Sequence, residues 1–161
     1  MTIQIGRVLP DAELAVIDGA VPDVRRQRTV ELFGGRKVVL FAVPGAFTPT
    51  CSERHLPGYV AKFNAFRARG LDVFCLAVND AYVMKAWAAA QHVPPGLLML
   101  ADGDAAFTRA LGLAFEGSMG VRSRRAALYA EDGVLRQLHV EAPGEFRVSS
   151  AEAMLEAVGA A

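Results

Sequence analysis

The stretch "PGAFTPTCSERHLPGY", residues 44 to 59, sets a lone cysteine, Cys51, three residues after Thr48 and four before His55. Cysteine acts as a nucleophile through its thiolate, so what matters is whether this position favours the anion. Thr is a capping residue and Pro is favoured at the first helical position, so Thr48-Pro49 reads as the cap and first residue of a helix. Cys51 then falls in the first turn, where unpaired backbone N–H groups and the positive end of the helix dipole favour a thiolate. A cysteine can also be no more than a small buried residue. Here a strand end, a Pro-Gly turn, a Thr-Pro helix start and a first-turn cysteine coincide, and together they describe a placed and activated sulfur. His55, one turn further along the same face, could exchange a proton with Cys51 or support it by hydrogen bonding. Cys51 and His55 alone are too few for zinc, which takes three or four ligands. No metal site is expected.

The elements that must hold this stretch can be followed along the chain. "KVVLFAV", residues 37 to 43, is a continuous β-rich apolar run, as in a central strand buried on both faces, and it ends just before Pro44. From Thr50 to Arg69, Leu56, Tyr59, Val60, Phe63 and Phe66 recur at three- and four-residue spacing, which predicts one amphipathic helix closed by Gly70. "DVFCLAV" reads as a second buried strand. Asn79-Asp80 caps an alanine-rich helix, "AYVMKAWAAAQHV", that must stop at Pro94-Pro95. "LLMLA" is a third strand and "GDAAFTRALGL" a short helix. "RAALYAEDGVLRQLHVE" predicts a hairpin turning at Asp132-Gly133, and "SSAEAMLEAV" a closing helix with a Ser cap. This order predicts an α/β sheet with a parallel part and an antiparallel edge. Ligands of such sheets bind outside the carboxyl ends of the strands, where residues 44 to 51 fall.

Composition narrows the function classes. A chain of 161 residues suits one domain, 1–161, and a formal charge of zero with 21% charged residues gives no basic surface made for nucleic acid. The opening "MTIQIGRVLPDAELAV" lacks a basic segment followed by a long apolar one, and no stretch approaches the roughly 18 apolar residues of a membrane span. A soluble, cytoplasmic protein without nucleic-acid or membrane partners is expected. Cys51 and Cys75 form no C-x-x-C pair, which argues against a disulfide scaffold or a zinc ribbon.

The motif "PGAFTPTCSERHLPGYV" resembles the active-site loop of peroxiredoxins, whose signature is Pro-x-x-x-Thr/Ser-x-x-Cys, with Pro44, Thr48 and Cys51 as the matching residues. The flanking "FTPTCS" and "HLPG", together with "FCLAVNDAYVMKAWA", are similar to the type II, or peroxiredoxin-5-like, subfamily. The likeness runs from "IGRVLPDAEL" to the C-terminal hairpin and implies a thioredoxin-like α/β fold, a mixed central sheet flanked by helices, with N-terminal additions. It implies that Cys51 is the peroxidatic cysteine, that Thr48 contacts peroxide and thiolate, and that Pro44 shields the sulfur from water. "GVRSRRAALYAEDG" resembles the stretch carrying the distant active-site arginine, which falls on Arg125, with Arg122 and Arg124 as alternatives. A guanidinium suits the role because it never loses its charge. The "HLPG" match places His55 in support beneath the site.

Cys75, in mid-strand, reads plainly as a buried structural thiol, and more sharply as a resolving cysteine. Some type II relatives carry a resolving cysteine near the C-terminal loop, but "EFRVSSAEA" contains none. The resemblance therefore implies a one-cysteine thiol peroxidase for hydrogen peroxide and alkyl hydroperoxides. Its recycling would fall to glutathione/glutaredoxin or thioredoxin, with no cofactor, in a homodimer. A thioredoxin-like disulfide oxidoreductase would want a second cysteine at position 54, which is Arg54. A peroxide-sensing or chaperone-like redox protein would share the oxidisable thiol and react without turnover.

Overall fold

The computed structural model describes residues 1–19 and 23–159. Its strands and helices alternate around one seven-stranded sheet. The first hairpin pairs β1 (Glu13–Asp18) with β2 (Val24–Arg28), and α1 (Thr29–Phe33) follows. The centre is β3 (Lys37–Val43), β4 (Asp72–Ala77) and β5 (Leu98–Ala101), all parallel. A second hairpin, β8 (Ala126–Glu131) and β9 (Val134–Val140), completes the order β2-β1-β5-β4-β3-β8-β9. The chain turns between β8 and β9 at Asp132 and Gly133, both with positive φ (48° and 75°), the conformation that suits a two-residue hairpin loop.

Alternation along each strand divides the core into two layers. Val39, Phe41, Val43, Val73, Cys75 and Ala77 face one side. They pack there against α2 (Leu56–Ala68), α3 (Ala81–Ala90) and α5 (Ala151–Gly159) through Tyr59, Phe66, Trp87 and Met154. The alternate residues Val38, Leu40, Phe74 and Leu76 meet α1 and α4 (Ala106–Leu111) through Leu32, Phe33, Phe107 and Leu111. Continuous apolar runs such as "KVVLFAV" exist because both faces of the central strands are covered. The thioredoxin-like mixed sheet expected from the sequence is the one observed. No helix among the described residues is long and apolar enough to cross a membrane.

Three features differ from the sequence expectation. The segment from Thr50 to Arg69 is not one regular helix: Cys51–His55 forms a π-helical turn, and the Leu56 N–H bonds to the Cys51 carbonyl five residues back, before α2 begins. Apolar spacing cannot reveal this, because the buried positions Cys51, His55, Tyr59 and Phe63 keep a four-residue interval through the turn. A separate short hairpin, β6 (Ala114–Gly117) with β7 (Gly120–Ser123), has four-residue strands in which Ser123 alone is fully buried, and so gives no alternation signal. The charged run "RRQR", residues 25 to 28, carries no apolar alternation, yet it forms most of the edge strand β2, with its arginines exposed. Its arginines, two of them paired with Glu13 and Asp11, discourage further strand pairing at that edge.

Candidate active site

The register of the sheet explains how distant residues meet. Because β3 and β8 are antiparallel with Ala42 opposite Ala126, the residue just before β8, Arg125, lies beside the carboxyl end of β3. The loop that leaves β3 carries Pro44 and Thr48 and runs into the π turn that carries Cys51. Pairing of Ala126 with Val140 brings Glu141 to the same end, where its N–H donates to the Arg125 carbonyl at 2.9 Å.

Cys51 is fully buried. The Nη2 of Arg125 donates to its Sγ at 3.3 Å, and Nη1 donates to His55 Nδ1 at 3.0 Å. One planar guanidinium thus reaches the first and last residues of the π turn, a geometry its fixed fork permits. The Nε2 of His55 is 3.0 Å from the Ser149 carbonyl. A guanidinium can only donate and a carbonyl can only accept, so His55 is neutral, with its proton on Nε2. Burial pushes the imidazole down to about 3; the Ser149 carbonyl works against this and the Arg125 charge adds to it. His55 is therefore not a proton-transfer partner of Cys51 near neutrality. It receives a hydrogen bond from Arg125 instead.

Ser149 is held in turn. Its carbonyl also accepts the Tyr59 hydroxyl at 2.8 Å, and Tyr59 stacks on Phe41 with ring centres 4.0 Å apart. The buried Glu141 carboxylate accepts the N–H groups of Arg147, Val148 and Ser149 and the Ser149 hydroxyl, at 2.6 to 2.9 Å. Burial raises the Glu141 carboxyl, but the Ser149 hydroxyl and these backbone donors outweigh it and hold the group below its ordinary value. Neither Glu141 nor Ser149 stood out in the sequence. The only signal was a carboxylate seven residues before "VSS", which is too common a pattern to single out.

The loop ahead of Cys51 is fastened separately. Asn79, beyond β4, accepts the Ala46 N–H at 2.9 Å, while Asp80 caps α3 by accepting the Val83 N–H at 2.9 Å. Phe47 has φ of 63°, a left-handed conformation that a bulky side chain adopts only when its surroundings impose it. Thr48 precedes the first helical residue, as expected, but its hydroxyl does not cap the helix. It donates to the Gly45 carbonyl at 2.6 Å, and the Thr48 carbonyl accepts the Ser52 N–H. From α3, Trp87 Nε1 donates to Ser52 Oγ at 2.9 Å and ties the π turn to the core.

A cleft of about 370 Å³ opens beside the site, walled by Pro44, Thr50, Phe115, Arg124, Arg125 and Phe146 among others. Of the three candidate arginines, only Arg125 touches Cys51. Arg124 is exposed on the cleft wall, and Arg122 donates to the Val78 carbonyl at 2.6 Å. Cys75 is fully buried in β4, and burial, with a smaller contribution from Cys51, pushes its thiol well above the ordinary range. Both cysteines are free thiols.

Known proteins share this arrangement of sequence and fold. The Redoxin family model matches residues 8–155. Peroxiredoxin-2E-2, chloroplastic, of Oryza sativa subsp. japonica is 48% identical over 164 residues, covering 98% of this chain and 73% of its own. The crystal structure of reduced Prx3 in complex with h2o2 from Vibrio vulnificus superposes with a TM-score of 0.90 at 49% identity, covering 98% of this chain and 99% of that one. Peroxiredoxin 5 from Alvinella pompejana gives a TM-score of 0.84 at 32% identity, covering 99% of each chain. With a buried cysteine at a helix start, an arginine on its sulfur and these likenesses along nearly its whole length, the chain belongs to the type II, peroxiredoxin-5-like peroxiredoxins and is a thiol-dependent peroxidase.

Proposed function

We propose that the chain works as one domain in which Cys51 is the peroxidatic residue. Its thiolate attacks the terminal oxygen of a hydroperoxide. The S–O bond forms as the O–O bond breaks, the departing alkoxide or hydroxide takes a proton from solvent, and a sulfenic acid remains on Cys51. The observation that carries this reading is the Arg125 Nη2 donor 3.3 Å from the buried Sγ. Negative charge moves from sulfur to the leaving oxygen during attack, and a fixed guanidinium stabilises it throughout. Thr48 takes the role of second donor to the peroxide, its hydroxyl leaving the Gly45 carbonyl when substrate arrives, and Pro44 keeps water from the sulfur.

Recycling falls to an external thiol, such as glutathione with glutaredoxin, or thioredoxin. That thiol condenses with the sulfenic acid to a mixed disulfide, releasing water, and a second thiol attacks the disulfide to free Cys51. Cys75 is a poor internal substitute because burial keeps its sulfur protonated. A reducing compartment such as the cytoplasm suits two free thiols. Large apolar side chains left exposed near the site, Phe47 in the loop ahead of Cys51 and Phe115 on the cleft wall, favour a homodimer.

The test is peroxide consumption with glutathione/glutaredoxin and thioredoxin supplied in parallel. Cys51→Ser is expected to consume none, and dimedone is expected to label Cys51 after one equivalent of peroxide. Wild-type turnover by Cys51→Ser, or labelling elsewhere, would show the assignment to be wrong. A single oxidation without turnover in both reducing systems would identify a sensor instead.

A further inference from the structure

Arg125 is held at both ends by one closed circuit of hydrogen bonds. Its carbonyl accepts the Glu141 N–H at 2.9 Å. The Glu141 carboxylate accepts the Ser149 N–H at 2.8 Å and the Ser149 hydroxyl at 2.6 Å. The Ser149 carbonyl accepts His55 Nε2–H at 3.0 Å, and His55 Nδ1 accepts Arg125 Nη1–H at 3.0 Å, which returns to the same arginine. Each link has a single permitted direction. If the Ser149 carbonyl moved away, the Nε2–H tautomer would lose its acceptor and rest on the Arg125 donor alone, and a proton that shifted to Nδ1 would face that donor with another donor.

We infer that Glu141 is a positioning residue for the peroxidase reaction: by clamping residues 147 to 149 it fixes the His55 tautomer, and through it aims Arg125 at Cys51. The inference rests on the roles proposed for Cys51 and Arg125. Glu141 itself touches neither sulfur nor substrate. Its carboxylate already accepts every donor that the 147–149 segment turns toward it. Glutamine at this position would keep the length but lose one acceptor oxygen, placing an amide N–H against backbone N–H groups.

The test compares Glu141→Gln, His55→Leu, which removes both of the His55 hydrogen bonds, and the double variant. We expect Glu141→Gln to lower kcat/KM for peroxide about 10- to 100-fold, the scale of a small misplacement of a catalytic group. The double variant is expected to lose no more than the worse single one, since both changes act on one arginine. In ¹H–¹⁵N spectra, wild-type His55 should show a protonated Nε2 and an unprotonated Nδ1, and Glu141→Gln should show exchange between tautomers. Losses that multiply in the double variant, an unchanged kcat/KM, or an unaltered His55 spectrum would overturn the inference. Should Glu141→Gln lack a cooperative unfolding transition, Glu141→Asp, which withdraws the carboxylate by one methylene, decides by the same readouts. The spectra need no turnover, and Cys51→Ser assayed alongside tests the peroxidatic assignment separately.

Discussion

The neutral, buried His55 makes the stability of this enzyme depend on pH in a way one substitution can isolate. In the unfolded chain the imidazole titrates near its ordinary 6.5, and in the folded chain burial pushes it down to about 3. Between those values the unfolded state binds a proton that the folded state refuses. Stability is therefore complete above about pH 6.5, falls as pH drops below it, and reaches its full loss near pH 3. The gap of about 3.5 pH units corresponds to about 5 kcal/mol in full. At pH 5 only about 1.5 of those units have been traversed, so the loss from His55 is about 2 kcal/mol. Glutamine can still accept from Arg125 and donate to the Ser149 carbonyl, but it does not titrate. The assay is urea unfolding of wild type and His55→Gln at pH 8 and pH 5, read as a difference of differences. Carboxylates held low by partners, such as Glu141, Asp11 and Glu13, also lose stabilisation on acidification, but they are common to both proteins and cancel. The wild type is expected to lose about 2 kcal/mol more than the variant between the two pH values. Equal losses, or a smaller loss in the wild type, would refute a neutral His55 and with it the hydrogen-bond directions around Arg125.

Other expectations concern the site and its supports. Arg125→Lys keeps the charge but cannot donate to Sγ and His55 Nδ1 together, and kcat/KM for peroxide should fall about 10- to 100-fold, with a deeper loss in Arg125→Ala. Stopped-flow fluorescence of Trp87, the single tryptophan and a donor to the π turn, would follow the reaction directly. Cys75→Ala should leave the peroxide step within about twofold of wild type and cost about 1 kcal/mol of stability in urea, as loss of a small buried side chain does. Tyr59→Phe removes one donor to the Ser149 carbonyl and should cost about 1 kcal/mol in the same measurement. Asn79→Ala strands the Ala46 N–H and should lower kcat/KM several-fold while α3, capped by Asp80, keeps its helicity by circular dichroism.

The central strands were legible because both their faces are covered, so "KVVLFAV" carries its own burial signal and spans the same seven residues, Lys37–Val43, in the fold. Asp132-Gly133 announced its hairpin because few other residue pairs accept two positive φ values. Cys51 was legible through helix-end chemistry. Arg125 was not legible from spacing at all: it lies 74 residues further on, and only resemblance singled it out among three arginines, while strand register is what brings it to the sulfur. Thr48 was placed correctly before the helix, but the partner of its hydroxyl depends on how the loop folds back on Gly45. The clamp of residues 147 to 149 could not be singled out, since apart from the Ser149 hydroxyl it consists of backbone groups, which every residue possesses, gathered on one carboxylate.

The π turn at Cys51–His55 behaves as a helix carrying one residue more than its length requires. Deleting a residue within it would let a regular α-helix form and would rotate everything upstream by about 100° about the axis, the angle each residue subtends. Thr48 and Cys51 would swing away while His55 and Arg125 stayed where the sheet holds them. The surplus residue is thus the phase setting between two halves of the site, one carried by the loop and the other by the core. It also makes the segment intolerant of changes in length, even where its side chains, such as that of Glu53, are exposed.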